Sequence, residues 1–316
     1  MDDRYAQLLG WLEGKLEQGF TIQTLGGDAS FRRYYRILTD ERSFIASDMP
    51  PTQENPVAFK DITVLLLDNG VRAPAIHAAD VSAGLFLLDD FGDTTYLNAL
   101  SNNTADLLYK LAIDELLKIQ AIEDSVLPAY DRTLLLEEMQ LFTDWYYKIH
   151  LGKSLNARDK KIITQSYDYL ADNALAQPQV FVHRDYHSRN LMLCADRTIG
   201  VLDYQDAVSG AITYDLVSLL KDCYIEWQPS QRLKWLRYYL ANTPHQLDEE
   251  QFILWFDLMG IQRHLKATGI FARLYHRDHK PGYLTFIPRN LRYIGQVSAH
   301  YPKLADMHTF IEDLAR

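Results

Sequence analysis

The stretch FVHRDYHSRNLMLCADRTIGVLDYQDA, residues 181–207, constrains the fold of this chain most strongly. Two short apolar runs enclose a loop rich in ionisable side chains, and an aspartate follows the second run. Apolar runs of this length, bounded by polar turns, are typical of buried strands. Because a loop between buried strands is anchored on rigid elements, its side chains are well placed to form a site. The pattern therefore predicts a functional loop, with a polar structural hairpin as the alternative.

The spacing of the polar residues indicates phosphoryl transfer. Asp185 is followed five positions later by Asn190, and Asp203 comes thirteen positions after that. H-R-D-x-x-x-x-N is the pattern of kinase catalytic loops, in which the aspartate meets the acceptor hydroxyl. The hairpin LMLCADRTIGVL is expected to return Asp203 to the side of Asn190. Their oxygens suit Mg²⁺, so we predict Asp185 as catalytic, Asn190 and Asp203 as metal ligands, and ATP and Mg²⁺ as cofactors.

Charge and composition exclude several other classes. The 316-residue chain has a net charge of −10, which repels phosphate backbones, so we expect no nucleic-acid partner. Its two cysteines, Cys194 and Cys223, suggest neither a disulfide framework nor a zinc site. There is no signal-peptide pattern and no apolar run as long as a membrane span. We expect a cytoplasmic protein with no membrane contact and no obligate protein partner.

The pattern of predicted secondary structure changes near residue 90. Before it, the periodicity predicts a helix, three antiparallel strands, a second helix and two more strands. After it, helices are predicted at 104–122, 134–151 and 159–176, followed by the strand pair of the opening motif and then helices to the end. The prediction is an α+β chain, with a small β-rich nucleotide-binding lobe (1–90) and a larger, mainly helical catalytic and acceptor-binding lobe (91–316).

Several segments together resemble a known family. Asp185, Asn190 and Asp203, with ITYDLVSLL after them, are similar to the aminoglycoside phosphotransferase and choline kinase branch of the protein-kinase-like fold. A narrower resemblance, to bacterial anomeric sugar kinases, rests on GDASFRRYYR, LLDDFGDTTYL, HRDYHSRNLM, LDYQDAVSGAITYDLVSLLKDCY and QRHLKATGIFARLYHRDHKPGYL. These kinases phosphorylate the anomeric hydroxyl of N-acetylmuramate and N-acetylglucosamine in cell-wall recycling.

The resemblance implies a bilobal protein-kinase-like fold, the same reaction, and ATP and an amino sugar as small-molecule partners. Two alternatives stay open. One keeps the kinase but changes the acceptor to an aminoglycoside, choline or homoserine. The other is a nucleotide-binding pseudokinase, which the absence of a lysine on the third strand suggests.

The resemblance also implies further site residues. Asp215 matches the buried aspartate that braces the catalytic loop, and His183 in the loop is grouped with it. The acceptor is expected to contact Gln205 and Asp206, which neighbour Asp203 in sequence. Two further acceptor-binding residues, Arg263 and His264, are predicted on the helix within QRHLKATGIFARLYHRDHKPGYL. The alternative is that this helix carries ordinary surface charges.

The nucleotide side departs from the usual kinase pattern. The third strand, RSFIASDM, has no internal lysine, and the helix PVAFKDITVLLLDNG has no glutamate to pair with one. Strand alternation puts Arg33 on the face opposite Arg32 and Arg36. We favour Arg33 as the replacement cation, with Arg32 as the alternative and solvated edge charges as the third possibility. The remaining nucleotide-binding predictions are Gly27 and Ser30 in the turn GGDAS, and Asp89 and Phe91 at the hinge LLDDFG.

Overall fold

A computed structural model of the chain describes residues 3–16, 19–26, 32–123 and 127–315. The predicted nucleotide-binding residues Gly27 and Ser30 lie outside these ranges. The chain forms two compact units, one made of 1–99 with 189–206 and the other of 100–188 with 207–316. The segment 189–206 therefore packs with the N-terminal part of the chain. The assignment of nucleotide binding to one lobe and acceptor binding to the other stays a prediction.

An antiparallel sheet and two longer helices build the first unit. Their order matches the prediction for the first ninety residues, and the bounds are α1 (Asp3–Glu13), β1 (Thr21–Leu25), β2 (Arg33–Leu38), β3 (Ser43–Asp48), α2 (Pro56–Asp68), β4 (Ile76–Asp80) and β5 (Leu85–Asp89). A short helix α3 (Tyr96–Ala99) follows. The strands of this sheet are ordered β1-β2-β3-β5-β4. The predicted small β-rich lobe is thereby confirmed.

Strand alternation gives the sheet one buried face. Ile37 on β2 is in register with Phe44 on β3, and both are buried with Leu87 of β5. Leu8 and Leu12, one helical turn apart on α1, are fully buried in the same cluster. Alternate residues of a strand point to the same face, so the apolar positions of three strands meet one stripe of α1.

The hairpin of the opening motif also belongs to the first unit. Its strands are β7 (Leu191–Leu193) and β8 (Ile199–Val201), and the Leu193 N–H donates to the Thr94 carbonyl at 2.9 Å. Gly200 on β8 lies against the ring of Phe91, because a Cβ there would lie 2.3 Å from the ring's Cδ2 atom. This close approach fixes the segment just after β5 against the hairpin.

Helices dominate the second unit, as predicted. They are α4 (Ala105–Gln120), α5 (Arg132–Leu141), a π-helix (Phe142–His150), α6 (Ala157–Leu175), α7 (Tyr214–Leu220), α8 (Pro229–Asn242), α9 (Glu249–His276), α10 (Ile287–Ser298) and α11 (Ala305–Ala315), with 3₁₀ turns at Pro281–Phe286 and Pro302–Leu304. A two-stranded sheet, β6 (Gln179–Val182) and β9 (Val208–Ala211), lies among them. Among the helices in the described ranges, none has both the length and the apolarity needed to cross a membrane.

Helix α9 forms the core of this unit. The structure corrects one predicted helix that packs on it and excludes one alternative for α9 itself. The single helix predicted at 134–151 is instead α5 followed by the π-helix, and Gly269 of α9 touches the junction. A Cβ at Gly269 would lie 2.2 Å from the carbonyl carbon of Leu141. The polar positions of α9, Arg263, His264 and Lys266, are 6, 1 and 7% exposed, so this part of the helix is not an ordinary charged surface.

Candidate active site

The predicted catalytic loop leaves β6 with a constrained backbone. Arg184 has φ +75°, in the left-handed region that side chains other than glycine rarely adopt. The buried carboxylate of Asp215, in the first turn of α7, accepts from the N–H of His183 at 2.6 Å and of Arg184 at 3.0 Å. The Nδ1 atom of His183 accepts from the N–H of Asp185 at 3.2 Å. Asp215 and His183, the two predicted braces, thus hold three consecutive N–H groups of the loop.

The ionisation of Asp215 bears directly on this geometry. Both of its oxygens accept backbone hydrogen bonds. Burial raises the pKa of Asp215 to about 6, although His183 and the backbone donors favour the charged form. A carboxylate accepts at both oxygens, whereas a protonated carboxyl must use one of them as a donor. The brace therefore requires the ionised form.

Cations surround the predicted catalytic residue Asp185. Its side chain is 41% exposed, and Oδ1 lies 3.9 Å from Nη2 of Arg263, which also donates to the Arg184 carbonyl at 3.3 Å. Burial acts to raise the pKa of Asp185, but Lys266, His187 and Arg263 outweigh it and lower the pKa to about 2. Asp185 is therefore ionised at neutral pH and is a weak base.

A buried charge cluster behind the loop is centred on Glu138 of α5, which is 5% exposed. Its Oε1 lies 2.8 Å from Nζ of Lys266 and also forms an ion pair with Arg184. Its Oε2 accepts from the Tyr130 hydroxyl. Burial acts to raise the pKa of Glu138, but Lys266 and Arg184 lower it below its usual range. One buried carboxylate thus pairs with two cations, and one of them, Arg184, immediately precedes Asp185.

The predicted metal ligands meet in the first unit. Nδ2 of Asn190 lies 3.3 Å from Oδ2 of Asp203, and the Leu202 N–H donates to the Asn190 carbonyl at 2.9 Å. Asp203 has φ +67°, a second left-handed residue next to the predicted chemistry. Strained backbone of this kind tends to occur where a function requires a particular side-chain direction. The hairpin returns Asp203 to Asn190, as the spacing predicted.

A buried arginine lies against the same carboxylate. Nη1 of Arg32 is 2.8 Å from Oδ1 of Asp203 and 2.8 Å from Oε1 of Gln205. Its Nε donates to Oε2 of Glu54 at 3.1 Å, and its side chain is 7% exposed. Arg33, which the sequence favours, is instead paired through Nη2 with the buried Asp48 at 2.7 Å. The structure therefore brings Arg32, the alternative, to the predicted metal ligand.

Comparison with known proteins decides the family. A model of the phosphotransferase enzyme family matches residues 21–249. The chain is 41% identical to a Pseudomonas aeruginosa protein named N-acetylmuramate/N-acetylglucosamine kinase, covering 99% of this chain and 97% of that one. A Neisseria meningitidis protein of the same name is 39% identical, over 98% of this chain and 96% of the relative. This chain belongs to the phosphotransferase enzyme family.

Solved structures agree with the fold of this phosphotransferase. A choline kinase from Streptococcus pneumoniae superposes with a TM-score of 0.67, covering 94% of this chain and 99% of its own, at 15% identity. An ADP-bound aminoglycoside phosphotransferase gives a TM-score of 0.63 with the same coverage, at 16% identity. At such low identity the likeness shows the shared fold alone, and it confirms the predicted protein-kinase-like architecture.

The oxygen donors of the phosphotransferase fit Mg²⁺. Asn190 offers an amide oxygen and Asp203 a carboxylate, and both are hard ligands of the kind that magnesium prefers. The Asp203 side chain is 39% exposed, so the carboxylate is accessible to an ion that keeps some of its water. Of the two, Asp203 supplies the anionic charge.

The predicted hinge residues of the phosphotransferase are engaged within the first unit. Asp89 ends β5, and its carboxylate accepts from the Ala75 N–H at 3.1 Å and lies 2.7 Å from Nε2 of His77. Phe91 packs against β8, and the Arg72 guanidinium lies 5.4 Å from its ring centre. Both side chains support the shape of the segment after β5, so a nucleotide contact there would use its backbone.

The four predicted acceptor-binding residues have different environments. Gln205 donates through Nε2 to Asp206 at 2.9 Å and to Asp203 at 3.3 Å, while Arg263 lies beside Asp185 as described above. His264 is 1% exposed, with Nε2 2.9 Å from the Lys221 carbonyl and its ring stacked on Tyr293. Burial lowers the pKa of His264 to about 3. We therefore assign His264 to the core and keep the other three as candidates.

Three residues of the site escaped the sequence-based prediction: Glu138, Lys266 and Glu54. Glu138 lies on an amphipathic helix next to Glu137, and spacing alone does not distinguish the two acids. Lys266 shares a helix with Arg263 and His264, and its place in the sequence does not show that it lies near Asp185. Glu54 precedes α2 by two residues, so a search for a glutamate inside the helix misses it.

Proposed function

We propose that this phosphotransferase transfers the γ-phosphoryl group of ATP to the anomeric hydroxyl of N-acetylmuramate and N-acetylglucosamine. The observation that carries the proposal is the 41% identity, across 99% of the chain, to a protein named for those two acceptors. In bacteria this reaction serves cell-wall recycling, and the need for ATP fits a location in the cytoplasm.

Asp185 would orient the acceptor hydroxyl and take its proton. The hydroxyl oxygen attacks the γ-phosphorus, the bond from that phosphorus to the ADP oxygen breaks, and the proton passes to the Asp185 carboxylate. Since the pKa of Asp185 is about 2, it accepts the proton late, as the new P–O bond forms. A hemiacetal hydroxyl is more acidic than an ordinary alcohol, so a weak base suffices.

Asn190 and Asp203 would hold the magnesium ion through their side-chain oxygens. Bound there, Mg²⁺ would neutralise charge on the nucleotide phosphates. The contact between the Asn190 amide and the Asp203 carboxylate supports this assignment, because it places the two side chains next to each other.

Arg263, Gln205 and Asp206 would recognise the acceptor. Arg263 is a cation beside Asp185, and it suits the lactyl carboxylate of N-acetylmuramate or a ring hydroxyl. Gln205 and Asp206 offer an amide and a carboxylate for sugar hydroxyls. A cationic acceptor such as choline would be repelled by Arg263, which favours the neutral or anionic sugars.

The test measures ADP release with Mg-ATP and each of four acceptors: N-acetylmuramate, N-acetylglucosamine, kanamycin and choline. Loss of the sugar's reducing end is followed in parallel. ADP release with stoichiometric loss of reducing ends is expected for both amino sugars, because phosphorylation at the anomeric carbon blocks ring opening. Turnover with kanamycin or choline alone would contradict the acceptor. ATP binding with no turnover of any acceptor would favour a pseudokinase.

A further inference from the structure

Arg32 is an unusual feature of the first unit, because it is a buried guanidinium with two carboxylates around it. Its side chain is 7% exposed, and arginine is almost never buried to this degree unless it is paired. Glu54 binds its Nε at 3.1 Å, and Asp203 binds its Nη1 at 2.8 Å. The Tyr34 hydroxyl also forms a hydrogen bond with the guanidinium. Such a network has a higher cost than a surface ion pair and suggests a specific use.

Asp203 and Glu54, the two carboxylates that pair with Arg32, differ in exposure and in proposed role. Asp203 is 39% exposed and is a proposed magnesium ligand, whereas Glu54 is 12% exposed and lies in the turn just before α2. Because Glu54 holds the Nε side of the guanidinium, the Nη1 end faces Asp203 and Gln205. Glu54 thus sets the direction in which Arg32 presents its charge.

Further contacts hold both Glu54 and the segment that carries Asp203. The Glu54 N–H donates to the Pro50 carbonyl at 2.9 Å. Next to Asp203, the hydroxyl of Tyr204 lies 2.8 Å from that of Thr63 on α2, and the Tyr204 ring stacks on Phe59 of the same helix. Helix α2 therefore ties the segment that carries Asp203 to the turn that carries Glu54.

We propose that Arg32, held in place by Glu54, is the cation that binds the nucleotide phosphates, and that Glu54 is its positioning residue. The inference rests on the proposed ATP-dependent function. The sequence lacks the third-strand lysine and the helix glutamate that usually share this task, and Arg32 with Glu54 places an equivalent cation and acid in one unit. A planar guanidinium suits this role, since it donates to Glu54 and to phosphate oxygens from different nitrogens.

Physical competition supports the assignment. A divalent cation on Asp203 and the guanidinium of Arg32 both need the carboxylate of Asp203. With a nucleotide bound, Nη1 of Arg32 would donate to phosphate oxygens in place of Asp203, while Nε would still donate to Glu54. The exchange keeps a buried cation paired throughout, which avoids the cost of a bare charge.

The experiment compares binding of adenosine, ADP and ATP, each with and without Mg²⁺, by titration calorimetry. The variants are Glu54→Gln and Arg32→Gln, with Glu41→Gln, an exposed acid in the turn between β2 and β3, as matched control. Loss of a charge-assisted hydrogen bond should weaken ADP and ATP by about tenfold to a hundredfold in both variants. Adenosine binding should be unchanged, because adenosine has no phosphate. The double variant should bind ADP no more weakly than Arg32→Gln alone.

Several outcomes would overturn the assignment. ADP binding by Glu54→Gln equal to that of the wild type would exclude Glu54 as the positioning residue, and an equal loss of adenosine affinity would show a general defect instead. If Glu54→Gln does not fold, Arg32→Lys tests the same contact. It keeps the charge without the planar fork, so its ADP affinity should lie between those of Arg32→Gln and the wild type. Wild-type affinity in both Arg32 variants would exclude the assignment.

Failure of the proposed function would look different. A wild-type protein that bound neither ADP nor ATP would not be an ATP-dependent kinase. A wild type that binds nucleotide and turns over the amino sugars, together with an unaffected Glu54→Gln, would exclude only the Arg32–Glu54 pair.

Discussion

The Nζ atom of Lys266 lies 2.8 Å from Oε1 of Glu138, and both side chains are buried behind the catalytic loop. Of the neighbouring groups that lower the pKa of Asp185, Lys266 has the largest effect. Glu138 also pairs with Arg184, the residue before Asp185. Glu138 therefore acts on the proposed catalytic carboxylate through its neighbours, as a positioning residue.

Glu138→Gln removes the charge and keeps the shape. Breaking a buried ion pair from one side leaves uncompensated charge, so we expect the free energy of unfolding in urea to fall by about 3–5 kcal/mol. kcat should fall while the Kd for ADP is unchanged. Glu137→Gln, the exposed neighbour on α5, should leave all three quantities unchanged.

The same pair predicts a pH dependence. Since the pKa of Glu138 is lowered in the folded state, its contribution to stability is present above the carboxyl's ordinary pKa and is lost as the pH falls. The difference in unfolding free energy between wild type and Glu138→Gln should therefore shrink in acid. A difference that grows on acidification would contradict the pairing.

Arg184 offers a test of backbone strain beside Asp185, the proposed catalytic residue. Its φ of +75° suits glycine, and its side chain pairs with Glu138. Arg184→Ala loses the pair and keeps the strain, whereas Arg184→Gly loses the pair and removes the strain. We expect Arg184→Gly to be the more stable of the two by about 1 kcal/mol in urea unfolding. Equal stability would mean that the strain is negligible.

Asp185→Asn should reduce kcat by about 10²–10⁴-fold, the range typical of a lost acid–base group. The amide still accepts a hydrogen bond from the acceptor hydroxyl but does not take its proton. Affinity for ADP should be unchanged, as measured by calorimetry. A variant that retains full turnover would exclude Asp185 as the base.

Asp215 should set an acid limit to activity. Its pKa is raised from 3.8 to about 6 by burial, and the ionised form braces the loop. We expect kcat to fall as the pH drops through about 6, and Asp215→Asn to show a low kcat without that limb. For stability the sign is opposite. A raised pKa in the folded state contributes stability at low pH, and this contribution is lost as the pH rises through about 6.

Gly269 should not tolerate a side chain. A Cβ there would lie 2.2 Å from the Leu141 carbonyl carbon, at the junction of α5 and the π-helix. Overpacking typically costs about 1–3 kcal/mol, and contact with backbone places Gly269→Ala at the upper end. Gly10→Ala on α1, where the space around the Cβ is open, should be neutral or stabilising. Thermal unfolding of both variants and the wild type measures the two effects. Equal effects of the two would exclude the close approach.

The order of elements in the first ninety residues and the return of Asp203 to Asn190 could both be predicted from the sequence. Both depend on short-range physics: alternation along a strand, periodicity along a helix, and a loop length that returns Asp203 to Asn190. The spacing of polar residues around Asp185 likewise predicted a kinase-like loop, and the family assignment agrees with it.

Which charged side chains meet depends on the tertiary structure. Arg32 rather than Arg33 reaches Asp203, because β2 pairs with β3 so that Arg33 faces Asp48. Glu138 and Lys266 lie far apart in sequence, and their ion pair exists because α5 packs on α9. His264 is a polar residue by type, yet it is buried by the helices that pack around α9. A single residue's chemistry does not specify its partners, since burial and pairing depend on elements remote in the chain.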